Sequence, residues 1–283
     1  MTIIVNGASS ALGGGPFNTS ALGPWNETSW WAPNTVAIND GSRGTRRVTL
    51  VDDPLGVQSG KVFRAELLAT DGAAITSLPT SRRSELSAYA TFQGIGQTWW
   101  YRVRTLLPAD WVVDTAGQSD TCFWQVHDLP DAGDPGRGPP LEFIIIGSNM
   151  VIQSRAPVTA GNDASGSRLR NIIVEPISSI LGKWQEWVVR ATLDSTDSTG
   201  ALTIWQNRRR IFEETGERNC YNDVGGLYPA CGTYCPVGWP VAGVSSRVTY
   251  NTGVVVGDSS ETFLSFTGAS ELERVQPVRL AVV

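Results

Sequence analysis

The clearest indication of the fold comes from residues Thr98–Leu106, which read Thr-Trp-Trp-Tyr-Arg-Val-Arg-Thr-Leu. Alternate side chains of an extended strand point to opposite faces. One face of this segment is apolar and the other is charged, formed respectively by Trp99, Tyr101 and Val103 and by Arg102 and Arg104. This period of two is typical of a half-buried β-strand.

Similar patterns recur along the chain, with Gly, Asn, Ser and Asp between them. The pattern predicts strands at 141–146, 150–154, 184–193, 202–211, 262–266 and 275–283, with a turn at 147–149 and a polar loop at 194–200. Helical periodicity is weak and limited to 171–181. Short strands separated by turn signals predict an all-β sandwich or barrel.

The length of 283 residues suits one large β-domain. Residues 1–30, rich in Gly, Ser, Asn and Thr, predict an irregular arm, and residues 31–283 a single domain. The apolar runs are far shorter than the roughly 20 residues of a membrane helix. We therefore expect no membrane span.

Charge and residue counts exclude several function classes. The net charge of −5 argues against a nucleic-acid binder. His127 is the only histidine, so a multi-histidine metal site is excluded. A calcium site at Asp131 and Asp134 is conceivable, although such clusters are more often solvated turns. In an oxidising environment Cys220 could form a disulfide with Cys231 or Cys235, and the alternative is that the cysteines are small buried apolar residues.

Three short motifs stand out, and the first is Arg83-Ser84-Glu85-Leu86. On a strand, Arg83 and Glu85 share one face. This pair suits the polar floor of a groove in which the arginine is held for an anion. The alternative is an ordinary cross-strand ion pair.

The second motif is Cys122-Phe123-Trp124-Gln125-Val126-His127-Asp128. Strict alternation predicts two faces, the exposed one with Phe123, Gln125 and His127 and the core one with Cys122, Trp124 and Val126. An amide and an imidazole on the exposed face are hard to explain by packing, although a lone histidine is often only a surface residue. Because Cys122 and His127 are predicted to face opposite ways, they do not suggest a Cys–His nucleophile pair.

The third motif is Tyr228-Pro229-Ala230-Cys231-Gly232-Thr233-Tyr234. On a strand, Tyr228 and Tyr234 share a face, with Ala230 and Gly232 between them. This predicts a shallow notch between two phenols, one of which could hold a substrate ring or exchange a proton. The alternative is a turn with both tyrosines packed on the surface.

In this order and at this spacing, Arg-Ser-Glu-Leu, Gln-Val-His and Tyr-x-x-x-Gly-x-Tyr resemble the signature strands of alginate-lyase-like polysaccharide lyases. That family carries Arg-(Ser/Thr)-Glu-Leu-Arg, Gln-(Ile/Val)-His and Tyr-Phe-Lys-Ala-Gly-x-Tyr-x-Gln. Residues 182–187 and 200–207 also resemble the wider heparin-lyase-like jelly roll. The resemblance covers roughly residues 80–240 and implies a concanavalin-like β-jelly-roll sandwich with a concave substrate groove.

The resemblance implies β-elimination on a 4-linked uronic-acid polymer, without a metal or organic cofactor. Arg83 and Gln125 would neutralise the uronate carboxylate, and Glu85 would orient Arg83. Depending on the stereochemistry at C5, His127 would be the general base or would assist with the carboxylate. Tyr234 would protonate the leaving O4 and, for the other epimer, could be the base as well. Tyr228 and Phe123 would contact the substrate alongside Glu85.

Three positions depart from the family pattern, and each loses a polar side chain that would face the groove: Ser87, Ala230 and Pro236. Ala230 stands where the family pattern has lysine. Arginines such as those at 208–210 could supply that positive charge instead, although a solvated turn is the simpler interpretation of this run. The expected partner is an acidic polysaccharide, not nucleic acid or membrane, and the oligomeric state is left open.

Two other functions compete with the lyase. A carbohydrate-binding or virion structural module on the same jelly roll would bind without cleaving. A glycoside hydrolase would need two carboxylates about 5–9 Å apart, and the Glu-x-Asp-x-x-Glu strand of jelly-roll glucanases is absent from the sequence. The start of the chain does not read as a secretory signal. Together with the Gly- and Ser-rich arm and a fold that cleaves glycans, this suits a phage-borne depolymerase. The expected location is therefore extracellular or virion-associated.

Overall fold

Two antiparallel sheets packed face to face form the protein. The computed structural model describes residues 3–4, 48–58, 61–70, 82–87, 93–113, 119–196, 198–236, 243–272 and 280–281. Strands are numbered in chain order. The eight-stranded sheet runs β12 (Arg209–Thr215), β11 (Ala201–Gln206), β10 (Trp184–Thr192), β5 (Thr98–Leu106), β14 (Ser246–Gly257), β3 (Lys61–Leu68), β2 (Val48–Asp52), with β1 (Ile3–Ile4) also paired to β14.

The seven-stranded sheet carries the three sequence motifs. Its strands follow the order β15 (Leu280–Ala281), β9 (Asn162–Pro176), β8 (Asn149–Thr159), β7 (Leu141–Ile146), β6 (Ser119–Asp128), β13 (Leu227–Cys235), β4 (Arg82–Ser87). Strands β6 to β9 are neighbours in the chain as well as in the sheet, whereas β13 comes from a distant part of the chain and lies between β6 and β4. The predicted all-β jelly-roll sandwich is confirmed.

The core lies between the sheets and is built on large aromatic side chains. The Phe143 ring lies 4.3 Å from the Trp124 ring and 5.3 Å from the Trp187 ring, centroid to centroid. All three side chains are fully buried. Because they come from both sheets, they fix the two layers together and hold β6 firmly in place.

Two strand predictions and the weak helix prediction are wrong, and the strand predicted at 275–283 lies outside the described residues except for Leu280–Ala281. Residues 202–211 are not one strand, because Asn207 and Arg208 have φ of 49° and 68° and turn the chain between β11 and β12. Residues 262–266 contribute to a short helix, α1 (Phe263–Thr267), which begins with a capping box between Thr262 and Ser265. The helix suggested at 171–181 is strand β9 followed by a 3-10 turn at Ile177–Ser179.

All four cysteines are buried as free thiols, so the possible disulfide from Cys220 is not formed. The predicted arm at 1–30 lies outside the described residues except for Ile3–Ile4. Within the described ranges, no helix has the length and apolar character needed to cross a membrane.

Candidate active site

The three motifs lie on neighbouring strands, with β13 between β4 and β6. Tyr234 pairs with Arg83 across β13 and β4, and Tyr228 pairs with His127 across β13 and β6. Side chains of paired residues lie on the same face of a sheet. Register therefore places these four residues on the outer face of the seven-stranded sheet, as two pairs six residues apart along β13, and the area that the two pairs span is called the outer-face patch.

A buried carboxylate joins two of the predicted catalytic residues. Glu85 accepts hydrogen bonds from Gln125 Nε2 at 2.8 and 2.9 Å and pairs with Arg83 Nε at 3.0 Å. Glu85 is fully buried, and Arg83 and Gln125 are 4% and 1% exposed. Glu85 thus orients both groups from below, as the resemblance implied for Arg83.

The ionisation of this cluster follows from its burial. Desolvation raises the pKa of Glu85, and the neighbouring Arg83 and Gln125 offset this only in part. For Arg83, desolvation opposes the charge, but Glu85 and the phenols of Tyr234 and Tyr228 outweigh it and raise the pKa. The Arg83 guanidinium therefore remains a permanent cation.

Tyr234 lies directly against that cation, with Arg83 Cζ 4.1 Å from the centre of its ring. Burial raises the pKa of the Tyr234 phenol, with Arg83 opposing and Glu85 reinforcing the shift. The phenol consequently holds its proton at neutral pH. This protonation state suits a general acid.

His127 is the most accessible of the four, with 18% of its side chain exposed. Its ring stacks on Tyr228, with 5.7 Å between centroids and 12° between planes. Nδ1 lies 2.8 Å from the backbone oxygen of Asp128 and 2.9 Å from Asp128 Oδ1. Tyr228 is itself only 3% exposed, so its main contact is with the imidazole rather than with solvent.

The predicted faces of β6 are wrong at its centre because the strand contains a bulge. The pairing with β7 shifts between Cys122 and Trp124, so one extra residue, Phe123, is inserted. Phe123 turns into the core, where it contacts Phe143 and Trp187, and cannot meet a substrate on the outer face.

Cys122 turns to the outer face for the same reason, in a small cluster with Ile144, Val151 and Tyr234. It shares that face with Gln125 and His127, contrary to the expectation from strict alternation. Burial raises the pKa of its thiol well above the ordinary value. Cys122 is therefore an apolar packing residue and not a nucleophile.

Two residues beside His127 were missed by the sequence reasoning. Asp128 Oδ2 binds Arg137 Nε at 2.9 Å, and both side chains are almost fully buried. Arg137 also pairs with Asp223 at 2.5 Å, Asp163 at 3.0 Å and Asp134 at 3.2 Å. Only the proximity of Asp128 to His127 in the chain could have pointed to this cluster.

The possible calcium site belongs to the same cluster. Carboxylate oxygens of Asp131, Asp134 and Asp223 lie within 4.8 Å of one another. Arg137 already pairs with Asp134 and Asp223, and backbone N–H groups of Val224 and Asp131 bind Asp131 and Asp223. The guanidinium thus supplies positive charge that a cation would otherwise bring, and the donor set does not fit a calcium ion.

The arginines at 208–210 do not replace the missing cation of the third motif. They lie at the turn and first residues of β12, the edge of the other sheet. Arg210 pairs there with Glu213 and Glu271. Among the predicted cations, only Arg83 is on the outer-face patch.

The fold and this patch define a jelly-roll protein with a charged cluster built into one sheet. A family model described as polysaccharide lyase matches residues 17–254, and the chain belongs to that family. The family implies a lyase with a polysaccharide as its substrate. Comparison with curated protein sequences gives no significant match.

Solved structures agree on the fold. The endo-β-1,4-glucuronan lyase of the fungus Trichoderma reesei superposes with a TM-score of 0.63 at 19% identity, covering 80% of this chain and 91% of that one. The alginate lyase of Klebsiella pneumoniae gives a TM-score of 0.50 at 11% identity, with 78% and 87% covered. At such identities the likeness concerns the fold alone.

Proposed function

We propose that this lyase cleaves 4-linked uronic-acid polysaccharides by β-elimination. The observation that carries the proposal is the shared anchoring of Arg83 and Gln125 on Glu85, with Tyr234 packed on Arg83. A guanidinium is the side chain best suited to a carboxylate, and this one is desolvated, which strengthens its attraction for an anion.

In the proposed reaction, Arg83 pairs with the uronate carboxylate and stabilises the negative charge that develops when the C5 proton leaves. His127 accepts that proton, and Tyr234 donates its own to O4 as the C4–O4 bond breaks. A C4=C5 double bond forms, and the two protein groups exchange protons with solvent afterwards. No water adds to the sugar, and no cofactor is required.

Gln125 offers the substrate an acceptor rather than a donor, because its Nε2 is already bound to Glu85. Its Oε1 is buried without a hydrogen-bond partner among the residues that the structure describes. Buried polar atoms are rarely left unpaired, and exceptions often mark functional positions. In the proposed complex this oxygen accepts a hydrogen bond from a sugar hydroxyl while Nε2 continues to bind Glu85.

The contacts of the two tyrosines suit the roles proposed for His127 as base and Tyr234 as acid. Tyr228 stacks on the imidazole of His127, and Tyr234 keeps its phenolic proton beside the Arg83 cation.

Because the proposed substrate is a polymer, we place the activity outside a cell or on a virion. The Trichoderma reesei and Klebsiella pneumoniae enzymes, described as glucuronan and alginate lyases, support a uronate substrate.

The experiment that tests the function is a polymer panel. Purified protein is mixed with alginate, glucuronan, glycosaminoglycans and bacterial capsules, and the ultraviolet absorbance of the unsaturated product is followed. Absorbance should grow with a uronate polymer and fall about 10²–10⁴-fold in His127→Ala and Tyr234→Phe. Glycan binding without absorbance across the panel would indicate a recognition module instead.

A further inference from the structure

The surroundings of His127 determine which of its nitrogens can act. The atoms near Nδ1, Asp128 O at 2.8 Å and Asp128 Oδ1 at 2.9 Å, are both acceptors. In a neutral imidazole one nitrogen carries the hydrogen and the other a lone pair. The hydrogen bond to the backbone oxygen places the hydrogen on Nδ1, and the Oδ1 atom, which lies outside hydrogen-bond geometry, brings the negative charge of the carboxylate beside it. The lone pair is then on Nε2, on the opposite side of the ring.

The carboxylate beside Nδ1 is itself held in place. Asp128 is 1% exposed, and its Oδ2 binds Arg137 Nε at 2.9 Å. Arg137 is clamped in turn by Asp134, Asp163 and Asp223 and lies 4.2 Å above the Tyr221 ring. Such a multiply bonded guanidinium has little freedom to move, so Asp128 cannot rotate away from the imidazole.

Asp128 is also the carboxylate of the cluster that keeps its charge. Burial works against ionisation of Asp128, but His127, Asp223 and Arg137 outweigh it and lower its pKa. Burial raises the pKa of Asp223 to about 6, with Arg137 opposing and Asp128 reinforcing the shift. Protons taken up by the pair thus reside on Asp223, and the negative charge stays beside His127.

We propose that Asp128, locked by Arg137, is a positioning residue that holds His127 as the Nδ1–H tautomer and stabilises the imidazolium formed when Nε2 takes the substrate proton. The proposal deepens the proposed function and rests on it for the role of Nε2. The logic is that of a base oriented by a carboxylate in other enzymes, reached here through neighbouring residues of one strand.

The test uses the fact that His127 is the only histidine in the chain. Nitrogen-15 labelling of histidine gives one imidazole, whose two nitrogens report the tautomer directly by NMR. The wild-type neutral ring should carry its hydrogen on Nδ1. In Asp128→Asn that hydrogen should exchange with water about tenfold faster, because the carboxylate beside Nδ1 has lost its charge.

Kinetics provide the second readout. Asp128→Asn should lower kcat about 10–100-fold and leave KM nearly unchanged, because the carboxylate stabilises charge that is absent before proton transfer. Arg137→Lys should give a smaller loss. The control is Glu213→Gln, which removes a carboxylate partner of Arg210 at the edge of the other sheet and should change neither the exchange rate nor kcat.

Two results would overturn the proposal: a wild-type ring with its hydrogen on Nε2, or Asp128→Asn with unaltered exchange and kcat. Thermal unfolding of each variant separates a positioning effect from a loss of folded protein. The NMR measurement requires no substrate. A wild-type protein that fails to cleave any polymer would therefore refute the proposed function, while the tautomer and exchange results still decide the role of Asp128.

Discussion

Gln125 donates hydrogen bonds to both carboxylate oxygens of Glu85 although a whole strand, β13, lies between them. Strands two places apart are about 9–10 Å distant, a span that two long side chains can bridge only over small neighbours. The residues of β13 paired with Gln125 and Glu85 are Ala230 and Gly232. Alanine stands at position 230, where the family pattern has lysine, so no long side chain of β13 blocks the contact between Gln125 and Glu85.

Glu85→Gln tests whether this crossing serves the reaction. The substitution leaves the buried Arg83 without its counter-ion, and we expect the free energy of unfolding to fall by about 3–5 kcal/mol. Turnover per folded molecule should fall at least about tenfold, because Arg83 and Gln125 lose their common anchor. Denaturant unfolding and initial rates at a temperature where the variant is folded measure the two effects.

The matched control is Glu142→Gln. Glu142 is equally buried, lies beside Gln125 on β7 and pairs with Arg155 instead of Arg83. A similar loss of stability with nearly normal turnover is expected. Equal losses of turnover in both variants would mean that Glu85 contributes only to the fold.

Gly232→Ala tests the close contact of β13 and β4. A Cβ at Gly232 would lie 2.3 Å from the backbone oxygen of Ser84 and 2.6 Å from Glu85 Cα. Because backbone cannot yield as a flexible side chain does, β4 must move, and we expect about 2–3 kcal/mol of lost stability and strongly reduced activity. Gly216→Ala is the control, since Gly216 also has a positive φ, of 78°, but no atom would lie within 4 Å of the added Cβ. If the two variants lose the same stability, backbone conformation and not the contact is responsible.

Phe123→Leu tests the bulge in β6. With the ring in the core, the substitution should lower the free energy of unfolding by about 1 kcal/mol and leave KM for the polymer unchanged. Tyr228→Leu, which removes the ring stacked on His127, should instead lower kcat. A large increase of KM in Phe123→Leu, measured from initial rates, would place the ring at the substrate and contradict the bulge.

Asp223→Asn tests the charge balance around Arg137. Because burial raises the folded-state pKa of Asp223 to about 6, the folded protein binds this proton more tightly than the unfolded chain does. Its contribution to stability is therefore greatest below pH about 4 and is lost as pH rises through about 6. The amide should stabilise the protein by about 1 kcal/mol at pH 7.5 relative to wild type and give no gain near pH 4. Unfolding curves at both values check this, and a gain that is larger at pH 4 would contradict it.

The sequence predicted much of the patch because alternation in a strand depends on little besides local pattern. Arg83 with Glu85, and Tyr228 with Tyr234, lie on the faces that a period of two assigns to them. The bulge at Phe123 was unpredictable, since one inserted residue reverses the parity of everything before it without changing composition.

The Asp128–Arg137 cluster was unpredictable for a different reason. Arg137 comes from a Gly- and Pro-rich loop, and Asp163 and Asp223 join it from distant parts of the chain. Only the order of strands in space brings these groups together. The crossing from Gln125 to Glu85 likewise depends on β13 lying between β6 and β4, which no local pattern contains.

The most direct test of the central claim is the mass of the products formed from a defined uronate oligosaccharide in water enriched in heavy oxygen. β-Elimination adds no water, so the two product masses should sum to that of the substrate, with no heavy oxygen incorporated and one unsaturated end. Products that together weigh one water more and carry heavy oxygen would show hydrolysis, and would contradict the roles given to Arg83, His127 and Tyr234.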